Sequence, residues 1–341
     1  MISTIIYYNH NGEIQRIYRD TKVALSTLDR ANGLNALYVD SGTIPNGPFF
    51  IRDDKIIAKE IHAYRSLPKD PPVILIRRDS FGLGDVVTTL GLVQDLRNKY
   101  PSSKIVYHIR ESYREILERH PAIDLIIIKP QPFDDCFTVE LSRPCPSSLF
   151  ESKNMPYIDK SRIDLWKESI GLSSDTKPKL YLSDNEREWG KSFVEDRKVG
   201  LVLRTSENWR NYPSNKVLVE KLKDYGVILI DHQANPFDVK STNGLNIRQH
   251  MSVIDSLKVI ITPDTAWLHV AGALDKKIIS LFGSMDPKYR SEPYNAISLT
   301  GECPYERQPC WYDICVEKRE IPPCMNINSN SIILSTELLL G

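Results

Sequence analysis

The chain has 341 residues, which is more than a single hydrophobic core usually supports, so two domains are expected. Lysine and arginine number 44 and so do aspartate and glutamate, and this balance excludes a bulk electrostatic attraction to nucleic acid or an anionic membrane. No apolar run approaches the ~20 residues of a membrane span, and the N-terminus lacks the apolar core of a signal peptide. The sequence therefore predicts a soluble, cytoplasmic protein.

Residues 1–65 predict a β-rich N-terminal module. Asn11-Gly12 lies between two strand-like segments, and this pair supplies the positive φ angles of a tight hairpin turn. Residues 36–61 predict two or three further short strands, separated by proline, glycine and an aspartate pair. A proline-containing linker over residues 66–72 ends this module.

From Val73 onwards, strands and helices alternate, which is typical of βαβ units and a parallel sheet. The first half, residues 73–170, predicts strands VILIRR, KIVYHI and DLIIIK, helices over 85–99, 111–119 and 162–170, and an irregular stretch over 130–160. The second half, residues 180–341, predicts strands over 199–204, 226–231, 258–264 and 276–283 and helices over 214–225, 249–257 and 265–274. We expect two Rossmann-like domains facing each other, with ligands at the carboxyl ends of the strands.

A glycine-bearing loop joins the first of these strands to the helix that follows it. Gly82 and Gly84 allow the backbone to approach a ligand closely, and the free N–H groups of a helix start attract anions. A carboxylate at Asp85 would repel a phosphate, so two interpretations remain for it. It is the N-cap of the helix, or it is a base directed into the cleft.

Three segments occur in a fixed order: IRRDSFGLGDVVTTLGLVQDLRNKYP near the start of the first half, then TPDTAWLHVAGAL, then SLFGSMDP. In that order they resemble the ADP-heptose:lipopolysaccharide heptosyltransferase family, glycosyltransferase family nine, over residues of about 73 to 330. The resemblance implies the α/β GT-B fold, with two Rossmann-like domains across a cleft. It also implies an inverting enzyme that moves a sugar from a nucleotide-diphosphate sugar to an acceptor hydroxyl, without a catalytic divalent metal.

The same resemblance assigns two catalytic residues. Asp85 matches the family's glycine–aspartate loop, where the aspartate is the general base that takes the proton of the attacking hydroxyl. The loop carries an extra residue, Gly82, relative to the usual pattern. Arg210 stands where the family has a lysine, and a cation there would neutralise the diphosphate as charge builds on the leaving group. Arginine keeps that charge and grips two oxygens at once.

The donor site is predicted from further matches. Asp264, Thr265 and Ala266 match the family's aspartate–threonine/serine–glycine turn at a helix start, where backbone N–H groups hold the diphosphate. Asp264 is equally a candidate N-cap, and His269 matches a family histidine that contacts phosphate or sugar or packs in the core. The remaining donor-site candidates are Gly84, Thr205, Ser206 and Asp286.

Four cysteines cluster near the C-terminus, at Cys303, Cys310, Cys315 and Cys324. In a cytosolic protein such a cluster indicates metal more than disulfides, and four thiolates suit structural zinc or iron. The spacing lacks paired C-x-x-C knuckles. A related group of autotransporter heptosyltransferases carries a cysteine finger that holds iron, which favours the metal interpretation.

The acceptor is the least determined part of the prediction. A bacterial glycan or a protein is one candidate. The N-terminal module weakly resembles β modules of tailed-phage proteins, which makes a hydroxymethylated pyrimidine in DNA, in a phage-infected host, another. DNA would require a basic groove, for which the candidates are Arg77, Arg78, Lys104, Arg110, Arg114 and Arg119. A non-catalytic module that binds nucleotide sugars is the third hypothesis.

Overall fold

The structure is a computed structural model and describes residues 68–79, 82–142, 150, 158–233, 236–305, 308–310 and 321–341, with the backbone of five strands before them. Those strands are β1 (Ser3–Tyr8), β2 (Ile14–Arg19), β3 (Asn35–Asp40), β4 (Phe49–Arg52) and β5 (Lys55–Ala58). β2, β1 and β3 form an antiparallel sheet and β4 pairs with β5. All five strands lie within residues 1–65, for which the sequence predicts a β-rich module, and the Asn11-Gly12 turn lies outside the described residues.

The first α/β half contains a four-stranded parallel sheet in the order β8-β7-β6-β9. Its strands are β6 (Val73–Arg78), β7 (Lys104–Ile109), β8 (Leu125–Ile127) and β9 (Cys136–Glu140). Its helices are α1 (Leu83–Thr88), α2 (Leu90–Lys99), α3 (Arg114–Leu117) and α4 (Arg162–Glu168). The prediction of an irregular stretch over 130–160 is wrong at β9, which pairs with β6 as an edge strand.

The helix predicted over 85–99 is two helices, because the chain turns at Thr89. The hydroxyls of Thr88 and Thr89 donate to the carbonyls of Asp85 (2.9 Å) and Val86 (2.7 Å). Such local side-chain bonds compete with the helical ladder and divide or bend helices.

The second half contains a five-stranded parallel sheet in the order β11-β10-β12-β13-β14. Its strands are β10 (Val199–Val202), β11 (Val227–Ile230), β12 (Val259–Pro263), β13 (Lys277–Phe282) and β14 (Ile297–Thr300). Its helices are α5 (Asp184–Val194), α6 (Asn215–Leu222), α7 (Ile247–Ser256), α8 (Ala266–Ala273) and α9 (Ser329–Leu340). The sequence did not predict α5, β14 or α9.

Burial is deepest in three neighbouring strands of the second sheet, as is typical of parallel sheets that are covered on both faces. Every residue of β10, β11 and β12 is buried. One hydrophobic core continues from the first half into the second, through residues such as Ile74, Leu90, Ile260 and Leu268. The mixed α/β fold with two parallel sheets is the predicted one.

Helices α1 and α8 pack where the two halves meet. A Cβ atom at Gly84 of α1 would lie 2.8 Å from Cδ2 of His269 and 3.3 Å from Cα of Ala266, both on α8. A side chain at position 84 would therefore push the helices apart. In the part of the chain that the structure describes, no helix is long and apolar enough to cross a membrane.

Candidate active site

The order of strands in the second sheet defines where a ligand is expected. β10 is flanked by β11 on one side and β12 on the other, so the chain changes direction between β10 and β12. In open parallel sheets, ligands bind at such a switch point, beyond the carboxyl ends of the strands. Thr205 follows β10 and the Asp264-Thr265 pair follows β12, so these predicted residues border that crevice.

The crevice has two walls, one from each half of the chain. Asp85 lies in the first turn of α1, on the wall that the first half forms. The N-cap position belongs to Gly82, whose φ of 109° suits a glycine, so the structure does not support the N-cap interpretation of Asp85. Oδ2 of Asp85 accepts a hydrogen bond from Nη2 of Arg78 at 2.7 Å. Its Oδ1 accepts a bond from Nη1 of Arg162. The carboxylate is therefore oriented by arginines from two different elements.

Arg210 lies in a 3₁₀ turn, Asn208–Arg210, and reaches across to the loop after β12. Its Nη1 donates to the carbonyl of Asp264 at 3.1 Å and lies 3.7 Å from the Oδ2 of the same residue. The guanidinium also stacks over the ring of Trp209, 4.6 Å from its centroid. These contacts hold a cation beside the start of α8.

Thr265 is the N-cap of α8. Its Oγ1 accepts a hydrogen bond from the N–H of Trp267 at 3.2 Å and lies 3.1 Å from the hydroxyl of Thr262. Ala266 is the first residue of the helix. The N-cap role that the sequence allowed for Asp264 therefore belongs to its neighbour, and the carboxylate of Asp264 is buried beside Arg210 instead.

His269, one turn into α8, lies between the two walls. Its Nδ1 is 3.1 Å from the hydroxyl of Tyr294, and its Cδ2 faces Gly84. Burial lowers the pKa of His269 to about 4, with Asp264 and Asp85 partly opposing the shift. The imidazole is neutral at neutral pH, and carboxylates from both halves of the chain act on it.

The remaining predicted donor residues lie at the rim. The Thr205 hydroxyl donates to the carbonyl of Glu207 at 2.5 Å, and Ser206 is exposed. Asp286 accepts a hydrogen bond from the N–H of Lys288 at 2.9 Å and caps a short 3₁₀ turn. It lines an open pocket of about 340 Å³, which Lys288 and Ser298 also border.

Sequence reasoning missed an acidic group in the same crevice. Asp231 directly follows β11 and is 2% exposed. Its Oδ2 lies 3.4 Å from Nε of Arg204, and its Oδ1 accepts a bond from the N–H of Gln233 at 3.0 Å. An acid after the second strand of a Rossmann unit is the position that contacts ribose hydroxyls. The segment VILID, an apolar strand that ends in an aspartate, is the sequence signal that could have identified Asp231.

The predicted metal site is not confirmed. Cys303, Cys310 and Cys324 are reduced thiols, and Cys315 lies outside the described residues. The N–H of Cys310 donates to the carbonyl of Ser284 at 3.0 Å, and Sγ of Cys324 lies 3.2 Å from the Cβ position of Gly283. Among the residues that the structure describes, no group of three His, Cys, Asp or Glu side chains is placed to hold a metal ion.

Part of the chain is similar to a known protein family. Residues 152–319, which include β10 to β14 and α8, match the model of glycosyltransferase family 9 (heptosyltransferase). The predicted resemblance to that family is confirmed over this segment. The matched segment contains Arg210, Asp264 and His269, and the predicted enzyme class, a glycosyltransferase, is confirmed. No curated protein matches the sequence.

Solved structures of glycosyltransferases share the fold. The glycosyl transferase family 9 from Veillonella parvula DSM 2008 is 14% identical with a TM-score of 0.60, over 81% of this chain and 99% of that one. E. coli ADP-heptose lps heptosyltransferase II is 16% identical with a TM-score of 0.58, over 78% and 98%. TibC from enterotoxigenic E. coli H10407, a bacterial iron-containing dodecameric glycosyltransferase, is 12% identical with a TM-score of 0.62, over 99% and 91%. These likenesses confirm the GT-B fold that the sequence predicted.

Proposed function

We propose that the chain is an inverting glycosyltransferase that moves a sugar from a nucleotide-diphosphate sugar to an acceptor hydroxyl. The observation that carries this proposal is the meeting of two walls at His269. The first wall offers an oriented carboxylate, Asp85, and the second offers Arg210 and the start of α8. A base on one side and a phosphate-binding cation on the other are the two groups that a direct displacement needs.

The donor would lie against the second half of the chain. Its diphosphate would contact Arg210 and the first N–H groups of α8, where the helix dipole favours negative charge. Asp231 would accept hydrogen bonds from the ribose hydroxyls. The structurally similar TibC has been crystallised in complex with ADP-D-beta-D-heptose, and this supports an ADP-heptose as the first donor to test.

The transfer itself would be a single displacement. The acceptor oxygen forms a bond to the anomeric carbon as the bond from that carbon to the phosphate oxygen breaks. The acceptor proton passes to the carboxylate of Asp85, and the nucleoside diphosphate leaves with its added charge beside Arg210. Because His269 is neutral, with its pKa lowered to about 4, it acts as a hydrogen-bonding group and not as a second cation.

A glycan or protein hydroxyl is the proposed acceptor, in preference to DNA. Several of the basic residues that a DNA groove would use are paired with acids: Arg77 with Glu140 at 3.3 Å, Arg114 with Glu118 at 4.0 Å, and Arg119 with Glu186 at 3.2 Å. Paired cations release few counterions on contact with phosphates, so they give little affinity for DNA.

We also propose the predicted domain limits, 1–65, 73–170 and 180–341, and a structural role for metal on Cys303, Cys310, Cys315 and Cys324. Support for the metal comes from two contacts that bring Cys310 and Cys324 to neighbouring residues: a backbone hydrogen bond from Cys310 to Ser284, and the sulfur of Cys324 next to Gly283. The iron content of the structurally similar TibC adds to it. Elemental analysis of the purified protein and of a Cys324→Ser variant tests this role.

The decisive experiment compares Asp85→Asn with the wild-type enzyme. We expect turnover to fall by about 10²- to 10⁴-fold, because the amide cannot take the acceptor proton, while the donor dissociation constant stays within about threefold. Asp184→Asn, at an exposed position on α5, is the matched control and keeps full turnover. Full turnover in Asp85→Asn would refute the base assignment, and donor binding without any transfer by the wild type would favour a non-catalytic binding module.

A further inference from the structure

The two arginines on Asp85 differ in their surroundings. Arg78, at the end of β6, is 1% exposed and holds Oδ2 at 2.7 Å. Arg162, in the first turn of α4, is 24% exposed and holds Oδ1. The buried partner therefore lies on the protein side of the carboxylate, and the partly exposed partner lies on the side that solvent reaches.

Packing fixes the position of Arg162. Trp166 follows it by one turn on α4, so both side chains lie on the same face of the helix. The indole Nε1–H of Trp166 donates to the hydroxyl of Thr88 on α1 at 3.2 Å. The guanidinium of Arg78 lies over the same indole, 5.7 Å from its centroid. Helix α4 thus docks on α1 and carries Arg162 to the carboxylate.

An acceptor that arrives from solvent meets the Oδ1 side of Asp85 first. We propose that Arg162 is a positioning residue for the transfer: it holds Oδ1 of Asp85 toward the cleft, ionised and ready to receive the acceptor proton. This inference rests on the proposed function. It adds a residue on α4, which none of the predicted site residues occupies.

Oδ1 of Asp85 can hydrogen-bond to Arg162 and to the acceptor hydroxyl at the same time. A carboxylate oxygen has two lone-pair positions, so Oδ1 can accept the N–H of Arg162 and the O–H of the acceptor together. As the new glycosidic bond forms, the acceptor proton moves to Oδ1 and Asp85 becomes neutral. The ion pair with Arg162 then loses its attraction, and release of the proton to water restores it for the next turnover.

The test uses three variants of the full chain with donor, acceptor and steady-state kinetics. Arg162→Gln removes the charge and leaves a shorter, polar side chain. We expect kcat to fall by about 10- to 100-fold, as for other small misplacements of a reacting group. The donor dissociation constant should stay within about threefold, because Arg162 contacts Asp85 and not the proposed donor contacts, Arg210 and the start of α8. Arg162→Lys, which restores the charge, should recover at least about tenfold in kcat relative to Arg162→Gln.

Lys160→Gln is the matched control, since it removes a cation two residues away whose partner is Glu168, at 2.7 Å. It should leave kcat unchanged. Wild-type kcat in Arg162→Gln would overturn the inference while leaving the proposed function intact. A loss in Arg162→Gln that Arg162→Lys does not repair, together with a lower melting temperature, would show a purely structural role and would also overturn it. Absence of transfer by the wild type with every donor would refute the proposed function instead.

Discussion

Arg248, on α7, connects the two halves at a second place, and replacing it by methionine tests how they are joined. Its Nε and Nη2 donate to the two carboxylate oxygens of Glu186 at 2.7 and 2.8 Å. Its Nη1 lies 3.4 and 3.3 Å from the carbonyls of Glu115 and Glu118, at the end of α3. Arg248→Met removes all of these bonds but keeps an apolar stem of similar length.

The expected loss of stability in Arg248→Met is calculated from the pKa of Glu186. The hydrogen bonds from Arg248, with smaller ones from Ser183, lower the pKa of Glu186 from its ordinary 4.5 to about 2. A shift of that size corresponds to at most about 3 kcal/mol at neutral pH. Screening by solvent and the remaining pair with Arg119 reduce this to about 1–2 kcal/mol. Because the folded pKa is depressed, the contribution is complete above pH 4.5 and is lost as the pH falls toward 2.

Urea denaturation of the wild type and of Arg248→Met at pH 7 and pH 3.5 measures this contribution. We expect the variant to be less stable by about 1–2 kcal/mol at pH 7 and by clearly less at pH 3.5. Arg187→Met is the control, because Arg187 is 43% exposed and pairs with Asp255, which also lies in the second half of the chain. This variant should lose under ~1 kcal/mol of stability. If the stabilities of the wild type and Arg248→Met differ little at pH 7, or differ as much at pH 3.5 as at pH 7, the role assigned to the Arg248–Glu186 pair is refuted.

Three further predictions concern buried contacts. Gly84→Ala would place a methyl group 2.8 Å from the ring of His269, so we expect a loss of about 1–3 kcal/mol in urea denaturation, and an unchanged midpoint would contradict the α1–α8 contact. The lowered pKa of His269, about 4, means that the unfolded chain takes a proton before the folded one, so stability falls from pH 6.5 toward 4. In His269→Gln, the free energy of unfolding should fall less steeply over this pH range. Equal slopes in the variant and the wild type would exclude His269 as the cause. Nζ of Lys167 lies 3.4 Å from the buried carboxylate of Asp95, so Lys167→Met would leave that carboxylate without its cation. The variant should lose about 3–5 kcal/mol of stability. Adding Asp95→Leu should restore part of this loss in the double variant.

Sequence patterns predicted the parts of the fold that are local. Buried strands such as β10, β11 and β12 are short apolar runs, and they were predicted to within one or two residues. β9 was missed because CFTVE carries a weak apolar pattern and becomes a strand by pairing with β6. α5 was missed although Ser183 and Glu186 form a capping box, a signal that the sequence contained.

The candidate site shows the same division. Asp85, Arg210 and Asp264 stand in recognisable motifs, and their positions next to loops and strand ends followed from the sequence. Arg162 stands 77 positions from its partner Asp85, so no local pattern could join them. The choice between N-cap and base for Asp85 also required the structure, because it depends on where α1 begins.

The two contacts between the halves differ in what they do for the site. At α3–α7, Arg248 joins the halves through hydrogen bonds to the backbone carbonyls of Glu115 and Glu118. Glu186 holds Arg248 in place, and this hold weakens when Glu186 is protonated at low pH. At α1–α8, close packing over Gly84 joins them with no charge involved. Asp85 lies next to Gly84 in the chain, and His269 lies directly across from it. A larger residue at position 84 would therefore move the proposed base away from the proposed phosphate site, and Gly84→Ala should lower turnover more than donor affinity.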